Sequence, residues 1–257
     1  MDHKKEIKTL IDGLARRHDT FQVFSDFVAM TAISLSNAVD LTPAAPREET
    51  YMQIIKRYTR DELSLFPQML GALTLALEDD MADILGQIFH DLELGNKWKG
   101  QFFTPDWVCR MMAAMNLTGD IRTLIDERGF IRASEPCVGA GAMVIALARH
   151  MRNESINYQQ ALHVTACDID IRAVHMAYVQ LSLLHVPAVI VHGNTLSLDE
   201  WSHWYTPAHI LGFWNGKLKR GDAIPSAPLP TLPAQRSPAT PADTNPPPQP
   251  GTQLQLF

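Results

Sequence analysis

The chain has 257 residues, 46% of them apolar, with 22 basic and 28 acidic side chains and a net charge of −6. That is enough for one large domain or two small ones with a real core, and the acidic balance argues against a uniformly basic nucleic-acid coat. The three cysteines, Cys109, Cys137 and Cys167, show neither CxxC nor CxH spacing, which argues against a cysteine-held zinc or a disulfide framework. The longest apolar runs, such as Met69 to Leu77, reach about half of the roughly 20 residues that a membrane helix needs. The opening Met-Asp-His-Lys-Lys-Glu has no basic-then-apolar secretory pattern. The expectation is a cytoplasmic protein with no membrane partner.

Residues 1–95 read as a helical region. Leu10 and Leu14 are four apart, and Phe24, Phe27 and Val28 share a helical face. Pro43 and Pro46 predict a break, and helical spacing resumes over Glu48–Tyr58. Pro67 suits a helix start, Met69–Leu77 a buried helix, and Gly95 a stop after Asp83–Leu94. The pattern changes over residues 96–222. Strand candidates are Phe130–Ser134, His163–Cys167 and Ala188–His192, and the helices between them are Ala142–Met151 and Ile171–His185. That alternation predicts an α/β fold with a partial, doubly wound parallel sheet beside the helical region. The third region, 223–257, holds ten of the 17 prolines, one acid (Asp243) and one base (Arg236). Such a composition cannot bury enough apolar surface to offset chain entropy and predicts a disordered, partly polyproline tail.

Four segments carry chemistry. Glu135-Pro136-Cys137-Val138-Gly139-Ala140-Gly141 follows a strand candidate and opens a helix. Glycines there permit a tight turn and the close approach of a ligand, and the helix N-terminus attracts a negative group. A plain tight turn uses the same letters. Cys167-Asp168-Ile169-Asp170 follows the second strand. An acid at that place accepts hydrogen bonds from ribose hydroxyls, and Asp168 is the better placed, because Asp170 suits the N-cap of the next helix. Gly193-Asn194-Thr195-Leu196 ends the third strand, where a polar side chain reaches a base edge and an ordinary turn is the plainer reading. In Gly100-Gln101-Phe102-Phe103-Thr104-Pro105, Thr104 suits the cap of a helix that Pro105 starts.

In this order the four segments resemble the adenine-specific DNA methyltransferases, above all the modification subunits of type I restriction systems, over roughly residues 80–200. The resemblance implies S-adenosylmethionine as cofactor and DNA as partner. It implies that Phe103, Thr104, Glu135, Gly139 and Gly141 hold the methionine part, that Asp168 holds the ribose and that Asn194 faces the adenine. Two positions depart from the family pattern: Glu135 stands where Asp or Asn is usual, and Asn194 where Asp is usual. Those enzymes also carry an Asn- or Asp-Pro-Pro-aromatic motif that accepts the target amine and stacks on a flipped base. Here Asn245-Pro246-Pro247-Pro248 lies in the tail without an aromatic, and Asn215, beside Trp214, is the remaining candidate for a catalytic acceptor. The expectation is a methyltransferase-like protein of a restriction-modification system that needs a second subunit to complete catalysis. The alternative is a non-catalytic accessory or decoy protein that binds cofactor or DNA.

Two further features remain. Trp201, Trp204, Tyr205 and Trp214 cluster near Lys217, Lys219 and Arg220, which suits either stacking on nucleic acid or cover for an open sheet edge. His203 and His209 read as surface or cap residues. At the C-terminus Gln253, Leu254, Leu256 and Phe257 resemble the short peptide by which DNA polymerases and repair proteins dock on the replication sliding clamp. The other reading is a tail that folds back on the protein.

Overall fold

Apolar spacing and side-chain caps set the helices in the order that the chain presents them. A computed structural model describes residues 2–93, 104–117 and 121–222. Asp2 accepts the Lys5 amide and caps α1 (His3–Leu14), and Asp19 accepts the Gln22 amide and caps α2 (Thr20–Asn37). In α1 the residues Ile7, Ile11 and Leu14, one turn apart, are all buried. Then come α3 (Ala44–Ile55), α4 (Arg60–Leu63), which opens with a Thr59–Glu62 capping box, α5 (Leu65–Asp79) and α6 (Ile84–Glu93). The break expected at the two prolines is shorter than predicted. Pro43 is the N-cap of α3 and Pro46 sits in its first turn, where a missing N–H costs nothing. Gly95 lies outside the described residues.

The helices α7 (Asp106–Asn116) and α8 (Ile121–Arg128) lead into the sheet. There β1 (Ile131–Glu135), α9 (Ala142–Asn153), the short α10 (Tyr158–Ala161), β2 (Leu162–Asp168), α11 (Ile171–Leu183) and β3 (Ala188–Asn194) follow one another. The strands β1, β2 and β3 are parallel neighbours, as the alternating pattern predicts. The chain then adds β4 (Asp199–Tyr205), antiparallel to β3 on its far side, and two helices, α12 (Pro207–Leu211) and α13 (Trp214–Asp222). The sheet order is β1-β2-β3-β4.

Side chains alternate across a strand, so the register sorts them onto two faces. One face carries Leu162, Val164, Ala166, Ala188, Ile190 and Trp204, all buried. Trp204 lies edge-on to His175 and Tyr178 of α11, at ring distances of 4.8 and 5.4 Å. On its other side α11 packs against α2, α5 and α6, so the helical region rests on the sheet through this helix. The opposite face is only partly covered. His163 and Val191 are buried there, while Arg132, Ser134 and Thr165 are exposed.

The cover on that face comes from α12 and α13. Thr206 caps α12 with Pro207 in its first turn. His209 is 1% exposed, which corrects its reading as a surface residue. Its Nε2–H donates to Asn215 Oδ1 (3.1 Å), which leaves Nδ1 to accept from His163 Nε2–H (2.9 Å). Burial holds both imidazoles below the usual range, His163 at about 4. Trp214 packs on His163 and Phe130 and is 1% exposed. Of the aromatic cluster, Trp204 and Trp214 are therefore packing residues, and Trp201 stays half exposed.

Candidate functional site

The candidate residues meet at the carboxyl ends of the three parallel strands. Leaving β1, the chain turns through Gly139 (φ +54°) and Gly141 (φ +101°) into α9. A Cβ on Gly141 would meet only ordinary contacts, at 3.6 Å from Ala177 Cα. The left-handed backbone, and not crowding, is what asks for glycine there. The Gly139 amide donates to Asp168 Oδ2 at 2.9 Å, and the Asp170 amide donates to Asp168 Oδ1 at 2.9 Å. The carboxylate after β2 is thus fixed against the turn after β1, with one lone pair on each oxygen left to accept from a ligand. Asp170 caps α11 by accepting the Arg172 amide, as expected.

The third loop joins the other two. Thr195 Oγ1 donates to the Pro136 carbonyl at 2.6 Å, and Val138 N–H donates to the Cys167 carbonyl at 2.9 Å. Asn194 Oδ1 accepts the Leu196 amide at 3.0 Å, and the other end of its side chain is an NH2 group, a donor. An aspartate there would offer a second acceptor instead. The longer Glu135 curls back on its own loop, where Oε1 accepts the Cys137 amide at 3.2 Å. Glu135, Gly139, Gly141, Asp168 and Asn194 therefore form one cluster.

Thr104 is connected differently. It does not cap α7: Pro105 is the N-cap, and no side chain closes that end. Thr104 lines a cleft of about 1000 Å³ that runs from α1 past Asp83 and Gly86 to Ala142, the first residue of α9. The helix that follows it packs Cys109 and Ala113 against Ala146, with Ala142 and Met143 beside them. Phe103 lies outside the described residues, as do Gln253, Leu254, Leu256 and Phe257. Asn215 sits in the first turn of α13, not at a strand end, and its Oδ1 is held by His209.

A buried network behind the glycine turn has no counterpart in the sequence reading. Gln180 of α11 is fully buried. Its Nε2 donates to the Ala140 carbonyl and to Asp83 Oδ1, both at 2.8 Å, and its Oε1 accepts the Leu85 amide at 3.0 Å. Asp83 Oδ1 also accepts the Gly86 amide, and burial pushes its carboxyl pKa up. One side chain thus ties the turn to the start of α6. The available signal was a lone glutamine amid the apolar residues Val179 and Leu181.

The cluster fits a nucleoside cofactor. Its turn lets a ligand approach the backbone, the α9 N-terminus faces the same space, and Asp168 offers acceptors beside it. A family model described as N-6 DNA methylase matches residues 76–223. No curated protein matches the chain. Among solved structures it is similar to a putative class I S-adenosylmethionine-dependent methyltransferase from Listeria monocytogenes, at 12% identity and a TM-score of 0.42. That match covers 76% of this chain and spans 54% of the other.

Proposed function

The chain belongs to the N-6 DNA methylase family, and from that premise we propose that it binds S-adenosylmethionine and serves adenine methylation of DNA. In this reading residues 96–222 form the cofactor-binding domain, and the protein acts in the cytoplasm, in a system of the restriction-modification type. The observation that carries it is the clasp of Asp168 onto the Gly139 amide. That contact holds the ribose acceptor beside the turn that admits the rest of the cofactor. Glu135 and Thr104 border the methionine end, and Asn194 presents a donor to the adenine.

Catalysis in this reading needs a second subunit. No Asn- or Asp-Pro-Pro-aromatic motif follows β3 in the folded region, and Asn215 is occupied by His209. The same observation favours a second reading, a cofactor- or DNA-binding accessory protein without methyl transfer. The terminal Gln253–Phe257 peptide is read, from its sequence, as a docking peptide for the sliding clamp.

Isothermal titration of the purified chain with S-adenosylmethionine tests the pocket. Binding is expected, and Asp168→Ala should weaken it by roughly 1–3 kcal/mol, the cost of lost charge-assisted hydrogen bonds. No heat from the wild type at millimolar cofactor would overturn the pocket. Labelled-methyl transfer to DNA by the isolated chain is expected to be absent. Robust transfer would remove the need for a partner.

A further inference from the structure

The network behind the glycine turn holds a carboxyl group that the fold leaves without a cation. Asp83 is 7% exposed, and its Oδ1 accepts from Gln180 Nε2 and from the Gly86 amide, both at 2.8 Å. Both donors are neutral. Among the described residues no arginine or lysine pairs with this carboxylate, and nothing donates to its Oδ2. Burial, with Asp106 as a smaller cause, pushes its pKa up. A buried carboxylate is costly to keep ionised when no positive charge stands beside it.

This group belongs to the cleft between α1 and α9. Asp83 and Gly86 line it together with Thr104 and Ala142. A Cβ on Gly86 would collide with Asp83 Oδ2, so glycine at that position leaves the carboxylate its room. The other carboxylates along the cleft are engaged or exposed. Asp91 pairs with Lys8, Asp106 with Arg110, Asp2 caps α1, and Asp12 is exposed. Of the lysines there, Lys4 donates to Gln87, Lys8 to Asp91, and Lys5 is exposed. Asp83 is thus the carboxylate of this cleft that is both buried and without a counter-charge.

We propose that Asp83 Oδ2 accepts the α-ammonium of the cofactor's methionine end. The inference rests on the cofactor reading above and names the residue that reads the amino-acid tail. S-Adenosylmethionine brings two positive centres, the ammonium and the sulfonium. Only the ammonium has N–H groups, and a carboxylate oxygen with free lone pairs suits a charged donor. A metal ion fits less well, since no group of three or more His, Cys, Asp or Glu side chains suited to a metal gathers among the described residues. Glu135, at the turn itself, is only half-buried and spends Oε1 on the Cys137 amide. Gln180 is then a positioning residue: it holds Oδ1 and the Ala140 carbonyl together and so fixes the carboxylate relative to the glycine turn.

Isothermal titration of the full chain with three ligands tests this. S-Adenosylmethionine carries both cations, S-adenosylhomocysteine the ammonium alone, and methylthioadenosine neither. Asp83→Asn keeps an oxygen for Gln180 and Gly86 and removes the charge. It should weaken the first two ligands by about tenfold or more, as loss of a charge-assisted hydrogen bond does, and the third by less than about twofold. Asp12→Asn, in the same cleft, should leave all three within about twofold. Retained binding of methylthioadenosine shows that the variant is folded. An equal loss for all three ligands would make Asp83 a structural residue and overturn the proposal. Loss for S-adenosylmethionine without loss for S-adenosylhomocysteine would assign the sulfonium and overturn it too, as would no loss or the same loss in Asp12→Asn. A wild type that binds none of the three would instead overturn the cofactor reading on which the proposal rests.

Discussion

The two outer strands of the sheet are finished in opposite ways. At β4 the edge is bulged opposite His192 and Gly193 of β3, and Trp204 is buried against α11. Arg47, 8% exposed, stacks 3.9 Å over Trp204, bonds Ser36 Oγ and donates to the His203 carbonyl at 2.7 Å. The helical region thus reaches across and satisfies a backbone group of that strand. At β1, which α8 touches, no strand pairs on the outer edge among the described residues, and alternate side chains meet solvent. One outer strand is closed over by the helical region, and the other, among the described residues, is not.

Substitutions should separate these two sides by size of effect. The largest loss is expected at Trp214, which closes the partly covered face over His163. Trp214→Ala should cost roughly 3–5 kcal/mol in urea unfolding, the usual cost of emptying a buried aromatic site. A loss below about 1 kcal/mol would mean that α13 is not part of the folded core.

Acid should act next, through the same face. His163 is held at about 4 by burial, while an unfolded histidine titrates near 6.5. Above about pH 6.5 neither state binds the proton. As the pH falls toward 4, the unfolded chain takes up a proton that the fold refuses, and stability drops by roughly 3 kcal/mol from this group. His175, held at about 3, adds a loss of the same sign. The melting temperature should therefore fall below pH 6.5, and His163→Gln should remove part of that slope. Identical profiles for the two proteins would break the assignment.

A smaller effect is expected at Gln180. Gln180→Met keeps the volume but strands the Ala140 carbonyl, Asp83 and the Leu85 amide, at roughly 1–3 kcal/mol. Cofactor affinity should drop with it, because the turn loses its rear support. Unchanged affinity in the folded variant would limit Gln180 to stability alone. The smallest effect is expected at Trp107, which is 66% exposed. Trp107→Ser should shift the stability of the isolated chain by less than about 0.5 kcal/mol, as exposed positions do. A large loss there would show that Trp107 is already packed.

The parallel strands were legible because β3 opens as a short apolar run, while β1 and β2 alternate apolar and polar residues, and turn residues follow each of them. Their ends shifted by a residue or two, as with β1, which runs Ile131–Glu135 where Phe130–Ser134 was expected. The strand β4 was not recognised. Its opening acids and its cluster of aromatics drew attention to composition, and Asp199–Tyr205 has no regular alternation of apolar and polar residues. His209 was misjudged because its burial depends on His163, 46 positions away. Gln180 was missed for the same reason, as Asp83 lies 97 positions from it. Local pattern finds a turn or a cap, whereas a side chain that joins distant elements shows itself only in the fold. The site divides likewise: the glycine turn and Asp168 could be read directly, but the curl of Glu135 and the Asn194 contact to Leu196 could not.

The bulge and the Arg47 contact at β4 also guard the chain against self-association. A sheet with two receptive margins can recruit neighbours without limit and grow into a filament. A guanidinium and a kink seal the β4 margin, so growth cannot proceed from that side. Loss of Arg47 would reopen that margin and threaten solubility before it threatened the pocket.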